Sequence, residues 1–268
     1  MLKDITLGQF FPGKSAIHRL DPRTKIICVM AFVVSIFVSS SFLGYGISFA
    51  FLGVCIKISG ISPKTVLKSL KPLIFILIFT GILNMLYTPG RELASFWIFT
   101  ITAEGIRNAV FMILRIVLLI ASTSMLTYTT SPIALTDALE RLLSPLKKLK
   151  VPVHEFAMMM TIALRFIPTL IEETDKIMSA QKARGADFDS GSLMDRAKAL
   201  VPILVPLFVS AFRRADELAT AMECRLYHGG EGRTRLNTTV MTSLDFRAFV
   251  LVGLICLASC LSGRVVSF

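Results

Sequence analysis

The stretch that decides the fold is Ile26–Ile56, IICVMAFVVSIFVSSSFLGYGISFAFLGVCI, in which 31 consecutive residues carry no charge. A transmembrane helix needs about 20 apolar residues, so this run is too long for one span and slightly short for two. We predict a hairpin of two short or tilted helices that turns near Gly44–Gly46. Arg23, Lys25 and Lys57 would extend these helices by placing their charged ends at the membrane surface.

Composition extends this interpretation to the whole chain. Of its 268 residues, 54% are hydrophobic and 18% are charged, and the mean hydropathy is +0.69, whereas an ordinary soluble domain carries about 25% charge. Three further runs have no charge: Pro72–Gly90, Ile116–Thr136 and Ala248–Gly263. We therefore predict an all-α, polytopic membrane protein with about five transmembrane helices. Leu93–Ala103, which contains Trp97, is too short to span and is interpreted as an interfacial or re-entrant segment.

The distribution of basic residues predicts the orientation, because positively charged loops stay in the cytoplasm. The N-terminal stretch, the connection at residues 57–71 and the long segment 131–247 hold 5, 4 and 16 of the 29 basic residues. We expect a cell-membrane protein whose N-terminus and long segment are cytoplasmic and whose C-terminus is outside. The long segment also holds 14 of the 18 acidic residues, so topology explains the net charge of +11 better than nucleic-acid binding does.

These features predict three regions. Residues 1–130 form an N-terminal membrane domain with four spans, residues 131–244 form a cytoplasmic domain, and residues 245–268 form a C-terminal span. The cytoplasmic domain has the pattern of three helices, which begin at Ser131–Pro132, near Pro152 and near Ser192. The second and third begin apolar and become charged, so each is expected to start near the membrane and to end in water. The run Met158–Met160 in the second helix is typical of core packing, although it would also suit an adaptable binding surface.

Two arginines occupy matching positions at the ends of the second and third of these helices. Aligning the segment Ala180–Ala186, AQKARGA, with the segment Ala221–Tyr227, AMECRLY, places Arg184 opposite Arg225. Gly185 suits a helix C-cap, and Gly229–Gly230 are expected to stop the third helix. Either arginine alone could be an ordinary cap at the negative end of the helix dipole. The duplication instead favours two copies of one docking element and a partner with two-fold symmetry.

Motifs for catalysis or for metal binding are not found. The segment Gly8–Ser15 matches the phosphate-loop pattern G-x-x-x-x-G-K-[ST], but the strand–loop–helix context that such a loop needs is not predicted around it. The three histidines are scattered and the five cysteines form no C-x-x-C pair, so we predict no catalytic residue, metal site or cofactor. Arg115 is the one ionisable residue well inside a predicted span. Bonding to Ser122, Ser124 or carbonyl groups is the favoured role for it, and a role in transport is the alternative.

Five segments together resemble the transmembrane T subunit of energy-coupling factor (ECF) transporters, the EcfT/CbiQ family, over essentially the whole chain. They are His18–Lys25, Thr130–Pro132, Leu139–Leu146, Ala163–Pro168 and Ala180–Gly185. The resemblance implies that the cytoplasmic domain is a coupling domain of three helices. It also implies that two ATP-binding cassette (ABC) ATPase subunits and a substrate-binding membrane S subunit are the partners. ATP hydrolysis would take place in those ATPase subunits, so this chain would not be an enzyme.

The same resemblance implies the docking residues. Two short motifs, Ala183-Arg184-Gly185 and Cys224-Arg225-Leu226, would end two coupling helices and bind one ATPase subunit each. The second motif departs from the usual Ala-Arg-Gly pattern, so only its arginine carries over firmly. The implied function is a transmembrane scaffold that couples ATP hydrolysis to uptake of a vitamin or a metal ion. The alternative is a stand-alone permease, or an intramembrane enzyme, with a basic domain on the membrane surface.

Overall fold

A computed structural model describes residues 10–39, 41–89, 92–96, 99–186, 188, 192–230 and 239–265. The described part of the chain is mostly helical and contains one antiparallel pair of short strands. Its contacts divide it into two compact units. The described residues of 8–135 and 237–268 form the first, which we call the two-part unit, and those of 136–236 form the second, which we call the central unit.

The two-part unit holds seven helices and two strands among its described residues. They are α1 (Ala16–Arg19), α2 (Pro22–Val38), α3 (Phe42–Ser59), α4 (Pro63–Leu70), α5 (Ile74–Tyr87), β1 (Glu92–Phe96), β2 (Phe99–Thr102), α6 (Ala103–Thr129) and α10 (Ser243–Val265). A 3-10 turn, Lys71–Leu73, joins α4 to α5. Helix α7 (Pro132–Leu143) begins in this unit and continues into the central unit, where a 3-10 segment (Ser144–Leu149), α8 (Val153–Ala183) and α9 (Leu193–Cys224) follow.

The core of the two-part unit lies where α2, α3 and α6 meet. Its most buried large side chains include Phe32, Ile36, Tyr45 and Leu118. Many other large apolar side chains of α2, α3, α5 and α10 are exposed. A soluble protein rarely exposes so many large apolar side chains, whereas a bilayer covers them, so the burial pattern agrees with a membrane protein.

By length and composition, five helical stretches in the described part of the chain can cross a membrane. They are Phe42–Ser59, Pro63–Tyr87, Ala103–Thr129, Val153–Ala183 and Ser243–Ser262. The predicted fold class is therefore confirmed, although this set differs from the predicted one in two members. It leaves out α2, whose 17 residues are at the lower limit of about 17 to 25 for a span. It also includes α8, which we predicted to be cytoplasmic.

The hairpin between the first two helices turns earlier than predicted. Helix α2 ends at Val38 and α3 begins at Phe42, so Gly44–Gly46 lie inside a helix and the prediction of a turn there was wrong. The cause is a serine cap, because the Ser41 hydroxyl accepts a hydrogen bond from the amide of Leu43 at 3.3 Å. Serine is a strong N-cap residue, and here this cap outweighs the two glycines as a signal for the turn.

Gly44 permits close helix packing instead of a turn. A Cβ atom at this position would lie 2.8 Å from the carbonyl oxygen of Ser259 and 2.8 Å from the hydroxyl oxygen of Ser262, both on α10. It would also meet the hydroxyl of Ser39. Small residues at helix contacts in membranes allow this kind of approach between backbones.

Helix α6 extends the fourth predicted span toward the N-terminus and shortens it at the other end. The uncharged run Ile116–Thr136 is not one helix, because α6 ends at Thr129 and Ser131 caps α7 through a 3.3 Å bond from the amide of Ala134. At the start of α6, the Thr102 hydroxyl accepts a hydrogen bond from the amide of Gly105 at 3.0 Å. The preceding segment forms the antiparallel pair β1–β2. The location of the segment Leu93–Ala103 at the membrane interface stays a prediction.

Arg115 lies in the middle of α6 and contacts a different group from the one predicted. Its Nε donates to the hydroxyl oxygen of Tyr45 at 3.2 Å, and its Cζ lies 5.2 Å from the ring centre of Phe37. The predicted serine partners were wrong, because Ser122 donates to the carbonyl of its own helix residue Leu119 and Ser124 bonds to Ser69. A hydroxyl and an aromatic face on neighbouring helices thus accommodate this cation inside the helical bundle.

Candidate docking site at two helix ends

The C-terminus of α8 has the hydrogen bonds of a Schellman cap. The amide of Ala186 donates to the carbonyl of Gln181 at 3.0 Å, and the amide of Gly185 donates to that of Lys182 at 3.0 Å. Gly185 has a φ of +92°, as expected for the left-handed residue of this motif. Arg184 is the C-cap residue itself.

The C-terminus of α9 repeats this cap in the same register. The amide of Tyr227 donates to the carbonyl of Met222 at 3.0 Å, and the amide of Leu226 donates to that of Glu223 at 2.8 Å. Leu226 takes the left-handed position with a φ of +56°. Arg225 therefore occupies the same place in its cap as Arg184, although the surrounding sequences differ.

The third cytoplasmic helix ends earlier than predicted, and a different residue turns the chain. Gly229 has a φ of +98°, but it lies after the helix, which already ends at Cys224. Leu226 turns the chain instead, at a cost of about 1 to 2 kcal/mol for a residue with a Cβ atom. Residue preferences at C-caps could not identify Leu226. The alignment of the two segments could have identified it, because it places Leu226 opposite Gly185.

The six predicted docking residues are exposed, and each triplet lies at one helix end. The residues are Ala183, Arg184, Gly185, Cys224, Arg225 and Leu226. Among the described residues, no hydrogen bond or ion pair involves the side chain of either arginine. Both guanidinium groups can therefore bind an external acceptor, and each lies at the negative end of a helix dipole.

Helices α8 and α9 cross in an antiparallel manner. At the crossing, Nη2 of Arg214 lies 2.9 Å from Oε2 of Glu173. Toward the end of α8, Nε2 of Gln181 donates to the carbonyl of Pro202 near the start of α9, at 3.4 Å. Toward the start of α8, Ile162 lines a shared groove with Met222, near the end of α9. The two C-termini therefore point in opposite directions.

The crossing has the same register as the sequence repeat. Glu173 and Arg214 are 41 residues apart in the chain, as are Arg184 and Arg225. Each arginine thus lies 11 residues beyond the crossing on its own helix, a distance of about 16 Å at 1.5 Å per residue. Equivalent positions that meet at an antiparallel crossing define a local two-fold relation. This relation places the two arginines at equivalent, opposite ends of the helix pair.

An apolar groove and an exposed apolar surface accompany this crossing. The groove, of about 310 Å³, lies between α8 and α9 and is lined by residues that include Phe166, Leu170, Ala215 and Leu218. Phe156, Met159 and Met160 on α8 are exposed, so the prediction that the methionine run is core filler was wrong for two of its three members. The first half of α9 also exposes apolar side chains, namely Leu200, Val201, Leu204, Val205, Phe208, Val209 and Phe212.

Comparison with known proteins identifies the family. The family model of CbiQ, described as a cobalt transport protein, matches residues 13–236. Three similar relatives are each named energy-coupling factor transporter transmembrane protein EcfT. The one from Thermosediminibacter oceani is 54% identical over 97% of this chain and 98% of its own length. Those from Ruminiclostridium cellulolyticum and Bacillus subtilis are 56% and 49% identical, over 91% and 97% of this chain and 92% and 98% of their own lengths.

The chain belongs to this family of ECF transporter transmembrane proteins. It is therefore the energy-coupling transmembrane subunit of a transporter, as the resemblance implied, and a multi-pass membrane protein. The family model covers both helix-end arginines, since its match ends at residue 236.

The other sequence features have local partners in this family member. His18 accepts a hydrogen bond from the Ser15 hydroxyl at its Nδ1, at 2.7 Å, and its Nε2 donates to the carbonyl of Phe11. The Ser15 hydroxyl also accepts from the amide of His18 and so caps the short helix α1. Gly8, the first residue of the phosphate-loop pattern, lies outside the described residues. His154 bonds to Glu140 at 2.9 Å. Within the described ranges, no three His, Cys, Asp or Glu residues are grouped so that they could hold a metal ion.

Proposed function

We propose that Arg184 and Arg225 each dock on one of two ABC ATPase subunits, and that this chain joins those subunits to a substrate-binding membrane S subunit. The observation that carries the proposal is the local two-fold relation of α8 and α9. The same 41-residue offset relates the two arginines, their backbone caps and the contact at the helix crossing. A pair of equivalent ATPase subunits would meet two equivalent arginines.

The arrangement supports a mechanical role in energy coupling. ATP-driven closure of two ATPase subunits would bring their docking grooves closer together. Because the two helices contact each other at Gln181 and Pro202 as well as at Glu173 and Arg214, force on either C-terminus is passed directly to the other helix. Each guanidinium would form charge-assisted hydrogen bonds in an acidic groove, worth about 1.5 to 3 kcal/mol when desolvated.

The exposed apolar surface of α8 and α9 supports an S subunit as the other partner. Flexible methionines such as Met159 and Met160 adapt to different surfaces, which suits a scaffold that serves a membrane partner. We propose that the central unit, with α8 and α9, lies on the cytoplasmic side and that α8 does not cross the bilayer. In support, the segment 131–247 holds 16 basic residues.

Purification and substitution of the two arginines test this function. The chain is expected to co-purify with two ATPase subunits and with an S subunit, whereas a stand-alone permease or enzyme would be active alone. Arg184→Ala or Arg225→Ala should weaken ATPase binding about tenfold to a hundredfold, which corresponds to the loss of about 1.5 to 3 kcal/mol, and the double variant should be weaker still.

Lys182→Ala is the matched control, since Lys182 is an exposed cation in the last turn of α8 but does not occupy the cap position. It should retain ATPase binding. A double arginine variant that still forms a full-strength complex would contradict the proposed docking role.

A further inference from the structure

The chain passes between the two units at two connections, and the parts of both connections that lie in the two-part unit are held by one short segment. The first connection follows the end of α6 at Thr129, and the second precedes the start of α10 at Ser243. The segment is Asp21–Lys25, at the start of α2. All of the contacts described below lie inside the two-part unit.

Lys25 holds the first connection. Its side chain is buried, and its Nζ donates to the carbonyl of Thr129 at 2.8 Å, to the hydroxyl of Thr130 at 3.2 Å and to the carbonyl of His18 at 3.3 Å. These bonds use all three donors of the ammonium group. They also place a positive charge at the C-terminal end of the α6 dipole, where a cation is stabilising.

Asp245 and Arg23 hold the second connection. Asp245 is 1% exposed, and its Oδ2 accepts from the amide of Thr242 at 2.7 Å and from the Thr242 hydroxyl at 2.9 Å. Its Oδ1 accepts from the amide of Asp21 at 2.8 Å, which ties α10 to the start of α2. Arg23 contacts the connection three residues before Thr242, where its Nη2 donates to the carbonyl of Thr239 at 3.1 Å.

Stability alone is a poor reason for this network. Burying charges costs several kcal/mol per ion, and apolar side chains of similar volume often stabilise a core as well or better. Asp21 illustrates the cost, because its Oδ2 is buried and has no hydrogen-bond partner among the described residues. Charge-assisted bonds do fix geometry, and this network bonds two chain segments that are 110 residues apart to the same short segment at the start of α2.

We infer that Asp21, Arg23, Lys25 and Asp245 form an anchor that couples the two connections mechanically, so that movement of the central unit is passed to α2, α6 and α10. This inference rests on the proposed function and names the residues that transmit the force within the two-part unit. Without the anchor, each connection opens locally and ATP hydrolysis is no longer converted into movement of the membrane helices.

Hydrogen exchange in the purified full complex tests the anchor, with one variant for each connection. Lys25→Met removes the contacts to Thr129 and Thr130, and Arg23→Gln removes the contact to Thr239. If the connections are coupled, either variant should raise amide exchange about tenfold in both segments 129–135 and 239–245, although each side chain touches only one of them. Arg19→Gln is the control, because Arg19 is an exposed cation of the same N-terminal region, and it should leave both segments protected.

Transport supplies the second measurement. In proteoliposomes, the tracer is the radiolabelled vitamin or metal ion bound by the S subunit that co-purifies with the wild-type chain. Both variants should keep ATPase subunits bound and ATP hydrolysis within about twofold of wild type, while uptake per ATP falls about tenfold or more. Arg23→Gln removes a partly exposed side chain, so it should remain folded even where Lys25→Met is expressed poorly.

Three outcomes would overturn the anchor. Exchange that rises only in the segment that the altered side chain touches means that the connections are independent. Exchange that rises throughout all helices, or loss of assembly in Arg23→Gln, indicates a general folding role. Wild-type uptake per ATP in both variants means that the network does not transmit force. Failure of the proposed function itself is distinguishable, because the wild-type chain would then not co-purify with ATPase subunits.

Discussion

At the scale of single residues, the two helix-end arginines show how one backbone structure arises from two different sequences. Gly185 reaches the left-handed region without steric cost, whereas Leu226 reaches it at a cost of about 1 to 2 kcal/mol. The hydrogen bonds of the two caps are nevertheless equivalent. The sequence difference at the second motif therefore changes the energy of the cap and leaves the position of Arg225 unchanged.

The strain at Leu226 leads to a prediction about stability. Leu226→Gly should raise the free energy of unfolding by about 1 kcal/mol, because glycine removes the Cβ clash at a positive φ. Leu226 is exposed, so the substitution removes little packing. Thermal unfolding of the purified chain in detergent measures the effect. Leu226→Ala keeps the Cβ atom and serves as the control, and a gain equal to that of the glycine variant would argue against strain.

At the scale of elements, helix caps and close packing decide where the membrane helices begin and end. The Ser41 cap places the hairpin turn before Phe42, and Gly44 is then free to serve as the contact with α10. Sequence patterns predicted the uncharged segment and its two helices correctly. They could not predict the use of Gly44, because the backbone atom that excludes a side chain there, the carbonyl oxygen of Ser259, belongs to a residue 215 positions away.

Two glycines of α3 provide a matched test of this packing. Gly44→Ala should destabilise the chain by about 1 to 3 kcal/mol, since the new methyl group overlaps the backbone of α10. Gly53→Ala has open space around it and should be neutral or slightly stabilising, because alanine favours a helix. Thermal unfolding in the same detergent compares the two. Equal stability of both variants would show that α3 and α10 can separate at little cost.

At the scale of the whole molecule, the distribution of charge predicts the membrane topology. The question for experiment is whether α8 crosses the membrane or lies in the cytoplasm. Its length and composition would allow it to cross a membrane, but the segment 131–247, which contains it, holds 16 basic residues. Positive-inside topology therefore predicts that both of its ends lie in the cytoplasm. A spanning α8 would instead place Glu155 and Lys182 on opposite sides.

Cysteine labelling distinguishes these topologies. In a chain without its five native cysteines, Glu155→Cys, Lys182→Cys and Lys68→Cys should react with an impermeant maleimide only after the cells are permeabilised. Arg107→Cys should react from outside, and it is the positive control because Arg107 is exposed near the predicted outer end of α6. Labelling of only one of the two α8 positions in intact cells would contradict the proposed cytoplasmic location of the central unit.

The sequence by itself determined the class of protein, most of the helices and the pairing of Arg184 with Arg225. It could do so because apolar length, charge distribution and residue spacing are local properties that can be seen along the chain. Only the tertiary structure decided that α8 and α9 cross at Glu173 and Arg214, and that Lys25 and Asp245 hold both connections between the units. Apart from the local bond between Thr242 and Asp245, these contacts join residues 41 to 224 positions apart, and their geometry depends on how whole helices pack.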